Sequence, residues 1–356
     1  MAISANPFAG ELLEVGAQGY AAQAAEELLA AHPDVKATFA PRAEMRWRDN
    51  LQLRVRELAA AVATGQADLF LSRVVWSWQS FDVRGVNAKA VRASLVALRH
   101  VLEARLPDNA RAEPVALLEE ASVLMEGSGP EQPESHVDLH SPLGALAIEY
   151  LQRALEGDVR DAIAVLTKAV ADGVDPRVII GEVLMAAQIE AGRLWHLNQL
   201  TVAEEHLITS TTQRAMSVVA DHATPEVSAN ERSVLAATIP EDHHDLGMRA
   251  IAHLLELDGW RVYFLGKDVP VDDLVSAASY FSVDVVMLAA SMSIQLRTLR
   301  EAVGALQQHG GVRAKVLVGG HAFAAAPGAW KTCGADGFAG SAREAVSAAA
   351  DLLEKR

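Results

Sequence analysis

Cysteine is almost missing: Cys333 is the single one in 356 residues. That excludes a disulfide framework and a zinc site built on several cysteines, and it suits a reducing, cytoplasmic compartment. Basic charge is also scarce. Lys plus Arg number 31 against 46 Asp plus Glu, a formal net charge of −15. An acidic chain without a basic tract repels the phosphate backbone, so nucleic-acid binding is not expected. The opening residues Met1 to Pro7 lack the basic and apolar regions of a signal peptide. No apolar run approaches the roughly 18 uncharged residues of a membrane span. After the first strand-like segment there is no G-x-G-x-x-G turn, which argues against a nicotinamide cofactor held in the usual way.

What is present is helical periodicity, a break, and then alternation. Residues 1–125 read as a helical domain, with helices expected over Glu11–His32, Arg46–Ala63, Asp68–Phe81 and Asn87–Leu106. Trp47, Trp76 and Trp78 are its candidates for a chromophore-sized pocket, although tryptophans in such helices are more often core. Residues 126–141 hold a Gly/Pro/Ser-rich linker, Gly127–Ser135. Residues 142–226 repeat helices at Ala145–Leu155, Asp158–Gly173, Pro176–Trp195 and Val202–His222, joined by short turns, which predicts a four-helix bundle. A polar connector follows at 224–232. From 231 to 356, strands at 233–239, 260–266, 283–290, 314–318 and 336–339 alternate with helices. That pattern predicts a doubly wound parallel sheet, an α/β domain behind two α domains.

The chemistry-bearing residues cluster after the first strand, in Glu241-Asp242-His243-His244-Asp245-Leu246-Gly247. A loop at the carboxyl end of a parallel strand is where such sheets place ligands. An imidazole there can bind a metal, and an Asp two residues earlier can take the ring's other N–H. Asp242-x-His244-x-x-Gly247, with Gly319-Gly320 after a later strand, resembles the cobalamin-binding domain shared by methionine synthase, corrinoid methyltransfer proteins and B12-dependent mutases. The resemblance covers about residues 142–356 and implies a Rossmann-like cobalamin domain under a helical cap. It implies that His244 ligates cobalt from below and that Asp242 sets the ring's tautomer. Gly247, Gly319 and Gly320 would clear the nucleotide tail, where a Cβ would intrude. His243 is expected to be exposed. The family's usual tail-contacting serine is replaced by Ala289, leaving Ser291 or Ser293 as substitutes, with Ser291 preferred.

The cap adds Trp195-His196 and, after nine residues between Trp195 and the pair, Glu205-His206. Singly, these read as a core Trp and a solvated first helical turn. Together they look like the signature of light-sensing adenosylcobalamin proteins of the CarH and LitR type. That resemblance implies that Trp195 packs over the adenosyl group and Glu205 bonds its ribose. His196 would reach cobalt after photolysis, and His206 would support the pocket. No DNA-reading domain precedes the cap here, so DNA binding is not implied. The arrangement is instead most similar to the photocobilins, which join a cobalamin photoreceptor to a helical bilin domain; that resemblance implies biliverdin as a second ligand, in a pocket lined by the three tryptophans and His100.

Four functions therefore stand. The first is a non-enzymatic sensor in which photolysis of adenosylcobalamin changes homo-oligomeric assembly or contacts with a protein partner. The second is the methylcobalamin-bearing corrinoid shuttle of a methyltransferase, which wants an open upper face. The third is a B12 carrier. The fourth, a mutase, lacks a barrel to hold its substrate.

Overall fold

The computed structural model describes residues 3–126, 129–223 and 231–354. The start of the expected linker, at 127–128, and most of the connector, with the cap boundary at 226, lie outside them. The chain forms two compact units. One takes Met1–Gln132 and Ala325–Thr332; the other takes Pro133–Ala324 and Cys333–Arg356.

The first unit holds α1 (Pro7–Ala31), α2 (Ala43–Thr64), α3 (Asp68–Asp82), α4 (Ala88–Arg105) and α5 (Asp108–Leu124). α1 begins earlier than its apolar pattern suggests, because the Asn6 side chain accepts from Ala9 N–H and Pro7 supplies a preset first turn. Small residues let α1 lie close to α2: a Cβ on Gly10 would come within 2.6 Å of Ala63 Cβ. The apolar periodicity does not disclose α5. Pro107 reads as a stop, but it caps α5, and Pro114 is carried inside the helix.

The second unit stacks a helical cap on a sheet. The cap is α6 (Pro142–Leu155), α7 (Val159–Ala171), the short α8 (Pro176–Val178), α9 (Met185–His196) and α10 (Val202–Asp221). Between α8 and α9 the helix widens to a π-turn at Ile179–Leu184, a local register change the sequence pattern does not disclose. The buried Tyr150 hydroxyl and Thr212 Oγ1, 2.9 Å apart, tie α6 to α10. Burial pushes the Tyr150 phenol up to about 12.

The sheet comprises β1 (Ser233–Thr238), β2 (Arg261–Gly266), β3 (Val285–Ala289), β4 (Lys315–Gly319) and β5 (Gly337–Ala339), in the order β2-β1-β3-β4-β5. All pairs are parallel. Every residue of β1 is buried, as a strand covered on both faces requires. The crossover helices are α11 (Leu246–Leu257), α12 (Val271–Phe281), α13 (Leu296–Gln308) and the terminal α14 (Ala342–Glu354). α11 serves two cores. Its Leu246, Ala250 and Leu254 join the cap cluster, while Met248 and Leu255 join the sheet cluster. Arg177 of the cap reinforces that junction, donating to Asp258 Oδ1 at 2.9 Å and to Leu257 O at 2.7 Å. No helix among the described residues is long and apolar enough to cross a membrane.

Candidate functional site

The strand order reverses between β1 and β3, and the crevice at their carboxyl ends is the topological switch point. The β1 loop enters it with Asp242 and His244. Asp242 is fully buried. Its Oδ1 lies 3.0 Å from His244 Nδ1 and accepts the His244 backbone N–H at 3.0 Å. Its Oδ2 accepts the Ser291 N–H, from the β3 loop, at 2.8 Å. A carboxylate met by two backbone donors and a ring is fixed in place. The His244 side chain is 69% exposed. With Nδ1 engaged, Nε2 is the nitrogen left for a ligand.

The Asp242 hydrogen bond raises the His244 pKa above its ordinary value. Burial opposes this, while the charges of Asp242 and Glu205 add to it. Glu205 thus lies within electrostatic reach of His244, although it belongs to the cap. Glu205 Oε1 accepts from Thr209 at 2.7 Å and from Gln188 at 3.5 Å, and Oε2 lies 2.7 Å from His206 Nδ1. His206 is otherwise exposed. Trp195 is half-buried against the cap core, and His196, the last residue of α9, is buried. His243 is exposed.

The glycines divide by geometry. A Cβ on Gly320, at φ 106°, would stand 2.2 Å from Ala290 O, and one on Gly319 would stand 2.7 Å from Ala339 O. Both are demanded by backbone approach. Gly247, near the start of α11, has nothing within 4 Å of its Cβ position. Ala289 ends β3 with 9% exposure. Ser291 meets the site through its backbone. Ser293 is buried, and its hydroxyl has no hydrogen-bond partner among the described residues.

Three residues were not singled out from sequence. Thr238 Oγ1 donates to Asp242 O at 2.6 Å and accepts from Asp268 N–H at 3.0 Å. Asp268 Oδ1 accepts from Glu241 N–H at 2.7 Å. Gln295 accepts from Ser291 and Met292 N–H, both at 2.9 Å, and donates to Glu241 O at 3.0 Å. Their link to Asp242 runs through sheet order, which local motifs do not encode.

The first unit places the four chromophore candidates differently. Trp47 is buried edge-on to Phe39 and lines a small cleft with Arg54, Ser77 and Phe81. Trp76 sits beneath the Arg73 guanidinium, Trp78 is buried outside that cleft, and His100 is exposed. Trp47 and Trp78 are core residues of the helical packing, and Trp76 is half-buried.

A family described as the B12 binding domain matches residues 232–350, and another of the same description matches 146–220. The chain is similar to dimethylamine corrinoid protein 1 of Methanosarcina acetivorans, 30% identical over 213 residues, 58% of this chain and 98% of that one. It is 33% identical over 133 residues to the HTH-type transcriptional repressor CarH of Myxococcus xanthus, covering 37% of this chain and 44% of that one. Among solved structures, the monomethylamine corrinoid protein of Methanosarcina barkeri aligns with a TM-score of 0.49 at 21% identity, over 59% of this chain and 98% of that one.

Proposed function

Because the chain belongs to the B12-binding corrinoid proteins, we propose that it holds a cobalamin between cap and sheet, with His244 as the lower cobalt ligand, and acts through a partner rather than as a catalyst alone. The observation that carries this is the His244 ring, exposed at the switch point and held through Nδ1 by the buried Asp242. The residues fit the group. A neutral imidazole nitrogen suits cobalt. The open space beside Gly247 suits a nucleotide tail, and the unpaired buried hydroxyl of Ser293 suits a polar contact to it. Ser293 therefore replaces Ser291 as the preferred tail residue. Bound cobalamin supplies a cobalt–carbon bond, which methyl transfer makes and breaks, and which light breaks when the carbon is adenosyl.

The identity of the upper ligand separates two readings. The relatives matched over nearly their whole length carry the name dimethylamine corrinoid protein, which supports a methyl-bearing subunit serving a partner methyltransferase. This reading has the broader support. The cap favours the second, an adenosylcobalamin light sensor. Trp195 and Glu205 lie in the segment that precedes the sheet, and the charge of the Glu205 carboxylate, a ribose acceptor by chemistry, is felt at His244. In that reading His196 and the Glu205–His206 pair complete the upper side, and loss of the upper ligand shifts assembly or partner contacts. Biliverdin in the N-terminal helices rests on resemblance alone.

The test is a titration of the full chain with methylcobalamin and with adenosylcobalamin in the dark, followed by spectra and size-exclusion elution before and after green light. A methyl carrier binds both forms and keeps its elution after illumination. A sensor prefers adenosylcobalamin, loses that preference in Trp195→Ala, and elutes differently after light. Failure to bind either form overturns both. Titration with biliverdin, read as a red-shifted absorption band, tests the second ligand.

A further inference from the structure

The backbone of Glu241 is left-handed, at φ 64°, just before the Asp242–His244 pair. For a residue with a Cβ this conformation is disfavoured, and it persists only where surroundings hold it. Here both of its peptide groups are held by side chains from neighbouring loops. Asp268, in the β2 loop, accepts the Glu241 N–H at 2.7 Å. Gln295, after β3, donates Nε2–H to the Glu241 carbonyl at 3.0 Å. Gln295 is buried, and its Oε1 accepts the Ser291 and Met292 N–H groups. That fixes Ser291, whose N–H is shared with Asp242 Oδ2. Asp268 is left-handed too, at φ 56°, and its N–H returns to Asp242 O at 3.1 Å and to Thr238 Oγ1 at 3.0 Å.

We infer that Asp268 and Gln295 form a two-sided clamp on Glu241 that positions Asp242 and His244 for metal binding. Neither touches the His244 ring; they are positioning residues. The loop leaving β1 would otherwise relax Glu241 to negative φ, swinging the two residues that follow it. The clamp draws one side chain from each strand flanking β1, so it forms only when the β2-β1-β3 order is complete. Its link to cobalt rests on the proposed role of His244; its link to the Asp242–His244 bond does not.

The experiment has two readouts. In the cobalamin-free full chain, two-dimensional ¹⁵N NMR of the imidazoles reports whether His244 keeps the Nδ1–H form bonded to Asp242. In the loaded chain, titration gives cobalamin affinity, with His244→Ala as reference. Asp268→Ala and Gln295→Ala are expected to lose the fixed tautomer and to weaken binding about 10- to 100-fold, the usual cost of disturbing a ligand's supporting shell. Asp268→Asn, which keeps the acceptor, is expected to behave as the parent. Glu241→Gly is the decisive partner, because glycine adopts positive φ without strain. Added to Gln295→Ala, it should restore most of the lost affinity and the tautomer, which a variant that merely unfolds the loop would not allow. An unchanged tautomer and affinity in both alanine variants would overturn the clamp. So would failure of Glu241→Gly to rescue. If the parent and His244→Ala bind alike while the alanine variants still lose the tautomer, the clamp stands and His244 ligation falls.

Discussion

At the scale of residues, the site is one imidazole and one carboxylate whose roles are set by burial. Asp242 is enclosed and His244 is not, so the pair fixes a ring without covering it. The Asp242 hydrogen bond raises His244 above the ordinary imidazole value of 6.5, and this has opposite consequences for the empty and loaded protein. In the empty protein a raised folded pKa favours the protonated pair. Its stabilisation is complete below the unfolded value and is lost as pH rises through the folded one. A metal ligand must be the neutral ring, so binding through His244 displaces a proton below that raised pKa. The cobalamin dissociation constant should therefore rise about tenfold per pH unit on the acid side, and level off above. Asp242→Asn, which removes the charge and keeps the shape, should move that break to lower pH and weaken binding about 10- to 100-fold. Isothermal titrations in two buffers of different ionisation enthalpy check both. A pH-independent affinity would show that another group holds the cofactor.

At the scale of elements, the strands were readable because each is a short apolar run bounded by turn residues, and the observed limits differ from the expected ones by a residue or two. α5 is hidden by Pro107 and Pro114, whose positions at a cap and on the buried face of a helix are decided by packing. The π-turn was hidden because a change from four- to five-residue bonding leaves the apolar spacing nearly intact. Asp242 and His244 were legible from a two-residue spacing. Asp268 and Gln295 were not, since only the sheet order brings loops 27 and 54 residues away onto Glu241. The glycines give the element-scale prediction. Gly320→Ala should destabilise even the empty protein by at least about 1–3 kcal/mol, because its φ admits essentially glycine and its Cβ would strike Ala290 O. Gly247→Ala should leave the empty protein as stable or up to about 1 kcal/mol more so, since alanine suits a helix and nothing stands in its way. It should nevertheless weaken cobalamin binding, because the new methyl enters the space assigned to the tail. Thermal melts with and without cobalamin separate the two.

At the scale of the whole molecule, the cap and the sheet are coupled through α11, which starts just after His244 and buries one face in each core. A ligand at His244 would lie beside the start of α11, whose apolar face packs into the cap core, while Arg177 ties the cap to the far end of the same helix. On the proposed role of His244, α11 is the route by which the cofactor's state would reach the cap helices, whichever upper ligand it carries. The measurement that tests the account most directly is electron paramagnetic resonance of the full chain loaded with cob(II)alamin, prepared with ¹⁵N in its histidines only. Ligation by His244 predicts that the nitrogen superhyperfine splitting changes from the three lines of ¹⁴N to the two lines of ¹⁵N, and that His244→Ala abolishes the doublet. A persistent three-line pattern in the labelled protein would mean that the cofactor keeps its own base, and would contradict the account.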